Sequence, residues 1–153
     1  MLQPGDTAPD FTRPDQHGNP VTLSQLRSKT VVLYFYPRAD TPGCTAQACG
    51  VRDHRVDYQQ AGALVLGVSP DSVKAVEKFD QKYGLAFPLL ADEDHSVAEA
   101  YGVWVKKSRY GREYMGNERT TFVISPEGVI SEVFRHVKPA EHDKLVLGAL
   151  ASA

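Results

Sequence analysis

A continuous run of β-branched and aromatic side chains, TVVLYFY from Thr30 to Tyr36, constrains the fold more than any other stretch. A run without alternating polar residues is typical of a strand that is buried on both faces. Proline cannot donate a ladder hydrogen bond, so Pro37 ends the strand. We therefore expect a central strand, covered by helices on each side, that delivers the chain into a turn at Pro37.

The segments that follow alternate between helix and strand patterns. A helix is predicted over residues 44–60, after a turn at Pro42-Gly43, and a second buried strand over ALVLGVS at 63–69. Ser69 is expected to cap the next helix, with Pro70 at its first position, and Gly84 to end it. This order indicates parallel strands joined by right-handed crossovers.

The remaining pattern completes a single α/β domain over residues 1–153. Before the central strand we predict an N-terminal hairpin around a turn at 15–20 and a helical turn capped by Ser24. After Gly84 we predict a strand at 87–90, a helix capped by Asp94, and a loop or irregular hairpin at 103–118. The chain then forms a hairpin of 119–125 with 129–137 and a last helix from Pro139. The late hairpin adds antiparallel strands. The expected fold is thioredoxin-like, with a mixed central sheet, helices on both faces and the N-terminal hairpin as an extension.

Composition and charge limit the function classes. With 42% hydrophobic and 24% charged residues the chain is an ordinary globular protein, and its net charge of -2 argues against nucleic acid as the main partner. No apolar run approaches the roughly 20 residues of a membrane span, and the N-terminus lacks the features of a secretory signal. We expect a cytoplasmic protein, and a monomer because no long apolar stretch demands an interface.

The two cysteines lie at the start of the helix predicted after Pro37. Cys44 is in its first turn, where free backbone N–H groups and the helix dipole favour an anion such as a thiolate. Cys49 follows five residues later, which on an ideal helix separates the Cα atoms by roughly 8–9 Å. A disulfide needs them within about 7 Å, so the pair can bridge only if the first turns unwind.

Other interpretations of the cysteines remain open at this point. They could be two small buried side chains of a helix. A zinc site has less support from the sequence, because there are only two thiols and the five histidines show no ligand spacing. Each histidine is expected on the surface or in a turn. A thioredoxin-type disulfide reductase would need a C-x-x-C motif.

Longer motifs carry a family resemblance. Pro37, Thr41 and Cys44 form P-x-x-x-T-x-x-C, within the longer stretch TPGCTAQACGVRD. The similarity extends over nearly the whole chain through PGDTAPDF, LYFYP, GVSPDS, FPLLAD, YGVW and RTTFVISPEG. Together these motifs resemble the peroxiredoxins, and in particular the bacterioferritin-comigratory protein or peroxiredoxin Q subfamily.

The resemblance implies residue roles. Cys44 would be the peroxidatic cysteine and Cys49 the resolving one. Thr41 would hydrogen-bond the thiolate or the peroxide, and Pro37 would shape and shield the pocket. Arg119 matches the family's active-site arginine, and a permanently charged guanidinium with several donors suits both a thiolate and a peroxide oxygen.

The resemblance also implies a thiol-dependent peroxidase cycle. Hydrogen peroxide or an organic hydroperoxide would oxidise Cys44 to a sulfenic acid, a Cys44–Cys49 disulfide would follow, and thioredoxin or a similar dithiol protein would restore the thiols. No metal, haem or nucleotide cofactor is needed. Two other classes stay open: a disulfide reductase that consumes no peroxide, and a redox sensor that oxidises once and signals to a partner.

Overall fold

The computed structural model describes residues 2–152. Its strands are β1 (Thr12–Pro14), β2 (Pro20–Thr22), β3 (Thr30–Phe35), β4 (Ala63–Ser69), β5 (Leu89–Ala91), β6 (Trp104–Arg109), β7 (Arg112–Asn117), β8 (Thr120–Ile124) and β9 (Ile130–Phe134). Its α-helices are α1 (Pro42–Asp53), α2 (Arg55–Gln60), α3 (Val73–Tyr83), α4 (Ser96–Ala100) and α5 (His142–Ala151). Short 3-10 helices span Leu23–Leu26 and Pro139–Glu141.

The central sheet has the strand order β5-β4-β3-β8-β9. Strand β3 lies in the middle, parallel to β4 and antiparallel to β8, and β4 is parallel to β5. The mixed sheet predicted from the order of elements is therefore confirmed. The N-terminal hairpin is also present, as the antiparallel pair β1 and β2 outside this sheet.

Strand β3 is buried on both faces, as its sequence predicted. Val32, Tyr34 and Tyr36 enter one apolar cluster, which also contains side chains of α1, α3 and α5. Val31, Leu33 and Phe35 enter a second cluster on the opposite face, which includes α4. The alternation follows from the two-residue period of a strand, and it places helices on both faces of the sheet.

The cysteine helix differs from the prediction at both ends. It begins at Pro42 rather than Cys44, so Pro42 and Gly43 belong to its first turn instead of a preceding turn. It also breaks at His54, which separates α1 from α2. The side-chain Nδ1 of His54 lies 2.9 Å from the Gly50 carbonyl oxygen, which also accepts from the His54 backbone N–H at 3.0 Å. The single helix predicted over 44–60 is therefore wrong.

Two predicted helix caps are also wrong, and the third, Asp94, shares its role with another residue. Ser69 is the last residue of β4, because the residue before a proline prefers an extended backbone, and Ser72 caps α3 by accepting from the Ala75 N–H at 3.2 Å. Ser24 lies inside its 3-10 helix rather than before it. At α4 the buried Asp92 accepts from two backbone N–H groups of the first turn, whereas Asp94 accepts from one.

Residues 103–118 contain a regular hairpin instead of an irregular segment. Strands β6 and β7 pair antiparallel over six residues each, around a two-residue turn. That turn is Tyr110-Gly111, and both residues have positive φ, at 52° and 76°. Such a turn matches the twist of the flanking strands, but a tyrosine at its first position is not the usual signal.

Two further findings concern the described chain as a whole. No helix within residues 2–152 is long and apolar enough to cross a bilayer. In the same range, no group of three or more His, Cys, Asp or Glu side chains could hold a metal ion.

Candidate active site

The turn between β3 and α1 brings Cys44 to the carboxyl edge of the sheet. Thr41 is the N-cap of α1 and Pro42 occupies the first turn, where its missing N–H costs no hydrogen bond. The Ala39 N–H donates to Asp71 Oδ2 at 2.8 Å, which fixes the turn against the segment after β4. Cys44 thus sits in the first turn of the helix, with only 2% of its surface exposed.

Arg119 contacts Cys44 from a distant part of the sequence. Its Nη2 donates toward Cys44 Sγ at 3.4 Å, although the two residues are 75 positions apart. A Cβ at Gly43 would lie 3.2 Å from the same Nη2, so glycine leaves the guanidinium room at the start of the helix. A fixed positive charge and a helix N-terminus therefore both face one sulfur atom.

Strand pairing explains how Arg119 arrives there. Phe35, the last residue of β3, pairs with Thr120, the first residue of β8. Because the strands are antiparallel, the end of β3 and the start of β8 lie at the same edge of the sheet. The Arg119 carbonyl accepts from the Val137 N–H at 3.1 Å, which fixes the backbone just before β8.

Gln47 completes this arrangement and was given no role by the sequence. Its Oε1 accepts from Arg119 Nη1 at 2.6 Å, and the side chain is 1% exposed. Its Nε2 has no hydrogen-bond partner among residues 2–152. A polar side chain three residues after Cys44, and therefore on the same face of the helix, is the sequence signal that could have identified it.

Thr41 lies next to the site, and its hydroxyl is already engaged. The Thr41 Oγ1 donates to the Arg38 carbonyl oxygen at 2.9 Å. A hydroxyl has one hydrogen and two lone pairs, so in this state it can accept from a peroxide O–H but cannot donate to the thiolate. Of the two contacts implied for Thr41, the structure leaves the one to the peroxide available.

Cys49 is partly buried, and both cysteines are free thiols. Both also lie within the intact helix α1. Ideal helix geometry keeps their Cα atoms roughly 8–9 Å apart, too far for a disulfide. The structure thus has the folded arrangement in which Cys44 and Arg119 meet and Cys49 is held away.

A cleft of about 550 Å³ opens beside the guanidinium. Pro37, Val105 and Val137 supply apolar wall, and Lys107 and Arg119 supply positive charge. Burial, with the nearby Arg119 charge, lowers the pKa of Lys107. Cys44 is not among the residues that line this cleft within the described chain, so Arg119 is the group that connects the cleft to the sulfur.

Asn117 is a second residue whose place the sequence did not reveal. It is fully buried, and its Nδ2 donates to the Tyr36 carbonyl oxygen at 3.2 Å. This contact ties the end of β7 to the end of β3, two residues before Arg119. Asn117 therefore helps to hold the segment that carries the guanidinium.

Comparison with known proteins shows which family the chain resembles. Residues 4–133 match the model of the AhpC/TSA family. A bcp-type peroxiredoxin of Coxiella burnetii is 52% identical over 149 residues, covering 97% of this chain and 99% of the relative. Peroxiredoxin Bcp of Escherichia coli K12 is 46% identical over 149 residues, covering 97% and 96%.

The chain belongs to the AhpC/TSA family and is a peroxiredoxin. A structure of the Xanthomonas campestris bacterioferritin comigratory protein, solved to study its alkyl peroxide reduction activity, superposes with a TM-score of 0.89 at 38% identity, covering 99% of this chain and 96% of that one. The resemblance inferred from the sequence is confirmed, and so are the thioredoxin-like fold and the assignment as a thiol-dependent peroxidase.

Proposed function

We propose that Cys44 is the peroxidatic cysteine and that Arg119 prepares it for attack. The Cys44 thiolate attacks the terminal oxygen of a peroxide, and the O–O bond breaks. Sulfur is oxidised to a sulfenic acid, while the departing oxygen takes a proton and leaves as water or an alcohol. The observation that carries this proposal is the 3.4 Å contact between Arg119 Nη2 and Cys44 Sγ.

The same guanidinium can also bind the departing oxygen. Negative charge moves from sulfur to that oxygen during the attack, and a preorganised donor at the site stabilises it. Thr41 accepts from the peroxide O–H, and Pro37 in the wall of the cleft shields the reacting atoms from water. These two roles rest on position: Thr41 caps the helix of Cys44, and Pro37 lines the cleft of Arg119.

Cys49 then acts as the resolving cysteine. Its thiol condenses with the Cys44 sulfenic acid, which releases water and forms the intramolecular disulfide. Because both residues lie in the intact α1, this step requires local unwinding of that helix. Thiol–disulfide exchange with an external dithiol then restores two thiols and oxidises the reductant.

The partners and setting follow from this cycle. We propose hydrogen peroxide and organic hydroperoxides as substrates, because the cleft is open and partly apolar. Thioredoxin or a similar dithiol protein is the proposed reductant, and the enzyme acts as a monomer of one domain over residues 1–153. The cycle returns to free thiols, so we place it in a reducing compartment, the cytoplasm.

Mass spectrometry after one equivalent of peroxide tests the two cysteine roles. Under non-reducing conditions the wild type should lose two hydrogens, whereas Cys49→Ser should gain one oxygen at Cys44. Cys44→Ser should show neither change and no turnover with thioredoxin. Sustained peroxide turnover by Cys44→Ser would overturn the assignment, and an insulin-reduction assay would then test for a disulfide reductase.

A further inference from the structure

Three helices meet through side chains immediately after Cys49. Asp143, in the first turn of α5, accepts from the Tyr58 hydroxyl of α2 at 2.6 Å through Oδ1. Its Oδ2 lies 3.5 Å from Nδ1 of His54, at the break between α1 and α2. His54 in turn contacts the Gly50 carbonyl oxygen of α1 at 2.9 Å. One carboxylate therefore connects α5 to both parts of the cysteine helix.

Gly50 makes the close approach of Asp143 possible. A Cβ built at Gly50 would overlap with Asp143 Oδ2, so a larger residue at this point of α1 would force the Asp143 carboxylate to move. Glycine inside a helix also weakens it relative to alanine, because the glycine backbone loses more conformational freedom on folding. The residue directly after Cys49 is therefore a weak point of the helix, and Asp143 packs against it.

Asp143 is well placed to resist movement of this weak point. Its side chain is only 13% exposed, and burial raises its pKa. A buried carboxylate oxygen without a hydrogen-bond donor is unfavourable, because its lost hydration is not replaced. The contact with Tyr58 therefore strongly favours one position of Asp143. Any opening of α1 that moves Gly50 must break this packing.

The beginning of the cysteine segment is held separately. Asp40 accepts from Lys82 Nζ at 2.9 Å and from the Tyr83 hydroxyl at 2.9 Å, which anchors the turn before α1 to the end of α3. Residues 44–49 thus lie between an anchor at Asp40 and an anchor at Gly50. Opening can therefore be controlled from either end, and the Gly50 end is next to Cys49.

We propose that Asp143 is a positioning residue that latches α1 at Gly50 and so sets how fast Cys49 is released toward Cys44. The inference rests on the proposed function, because it concerns the step that forms the Cys44–Cys49 disulfide. It has a chemical consequence. A sulfenic acid that waits longer for Cys49 is exposed longer to a second peroxide, which oxidises it to the sulfinic acid.

Two variants open the latch in different ways. Asp143→Ala removes the carboxylate, and Tyr58→Phe removes only the hydroxyl that donates to it. Rapid acid quench and thiol alkylation then separate the two steps in time. The rate of disulfide formation should rise at least about tenfold in both, the lower end of the change expected for one hydrogen bond to an ionised group, while the rate of Cys44 oxidation stays unchanged. Sulfinic acid formation at high peroxide should fall.

Matched variants exclude a general loss of packing at α5. Asp143→Asn keeps an acceptor for the Tyr58 hydroxyl and should return most of the way to the wild-type rate. Glu141→Ala removes an exposed carboxylate at the same end of α5 and should change neither step. If Asp143→Ala does not fold, Tyr58→Phe decides the matter, since it leaves the buried ring in place.

Hydrogen exchange supplies a readout that does not depend on catalysis. In the reduced protein, amides of residues 45–50 should exchange about tenfold faster in Tyr58→Phe, while those of β3 stay as in the wild type. A disulfide that forms at the wild-type rate in both latch variants overturns the latch and leaves the proposed function standing. If the wild type forms no intramolecular disulfide, the proposed resolving step is wrong. Amides of residues 45–50 that exchange at the wild-type rate in Tyr58→Phe would overturn the latch as well.

Discussion

The contact between Gln47 and Arg119 makes a quantitative prediction about peroxide attack. Gln47→Leu keeps the size of the buried side chain but removes the oxygen that accepts from Arg119 Nη1 at 2.6 Å. The guanidinium then has one fewer partner to fix its orientation toward Cys44. We expect the second-order rate of Cys44 oxidation to fall, without loss of the fold.

The size of the effect follows from the type of bond that is lost. A hydrogen bond to a charged group contributes about 1.5–3 kcal/mol. Each 1.36 kcal/mol of lost transition-state stabilisation slows a reaction about tenfold. If Gln47 acts by holding Arg119, the rate should fall by roughly 10- to 100-fold, and it cannot fall further than in Arg119→Ala.

The measurement is stopped-flow oxidation by hydrogen peroxide in the Cys49→Ser background, which isolates the first step. Gln59→Leu is the matched control, because it makes the same chemical change on the exposed surface of α2. That control should leave the rate unchanged. Urea unfolding of each variant shows whether the fold is preserved.

A double-mutant cycle can refute the reasoning. If Gln47 acts through Arg119, adding Gln47→Leu to Arg119→Ala should slow the reaction no further. An equal slowing by Gln47→Leu in the presence and absence of Arg119 would show that the two residues act independently. The positioning role of Gln47 would then be wrong, whatever the size of the single effect.

Three further predictions concern charge and packing. Burial, with the nearby Arg119 charge, lowers the pKa of His142 to about 4; between pH 6.5 and 4 only the unfolded chain takes up this proton, so stability falls on acidification. From pH 7 to pH 5 the wild type should lose about 2 kcal/mol more than His142→Gln in urea unfolding, and equal losses would contradict this. Gly67→Ala places a Cβ 3.0 Å from the Tyr34 ring and hydroxyl, so it should destabilise by about 1–3 kcal/mol in the same assay. Arg119→Lys keeps the charge but cannot contact Gln47 and Cys44 through two nitrogens, so Cys44 oxidation should slow at least about tenfold in stopped flow.

The scaffold of the site could be predicted from the sequence because its signals are local. The apolar run at 30–36 identified the central strand, and the run at 63–69 gave the bounds of β4. Both patterns arise because a strand that is buried on two faces has apolar side chains at nearly every position. The position of Cys44 in the first turn of a helix was likewise local, since Pro42 and the glycine beside it mark that turn.

The contacts around the cysteines could not be predicted, because each depends on a distant partner. Gln47 faces Arg119 only because β8 pairs with β3 in a particular register. The break at His54 involves Gly50 and, from α5, Asp143. His142 was expected on the surface or in a turn; it lies in α5 and is fully buried, with Nε2 3.0 Å from the Thr121 hydroxyl oxygen. A single histidine in a helical pattern gives no sign of such a partner.

Arg119 lies in a part of the fold that is fixed, whereas the two cysteines lie in a helix that must unwind in the proposed cycle. Arg119 is fixed beside the central sheet, by the pairing of β8 and the contact with Val137. Cys44, Gln47 and Cys49 share the single helix α1. In the proposed resolving step, unwinding of residues 44–49 therefore carries Gln47 away from Arg119 as well as bringing Cys49 to Cys44. The contacts that Arg119 makes with Gln47 and Cys44 are then lost in the same motion that would form the disulfide. This order suits the chemistry, because a charged thiolate is needed for peroxide attack and is no longer present once the sulfenic acid has formed.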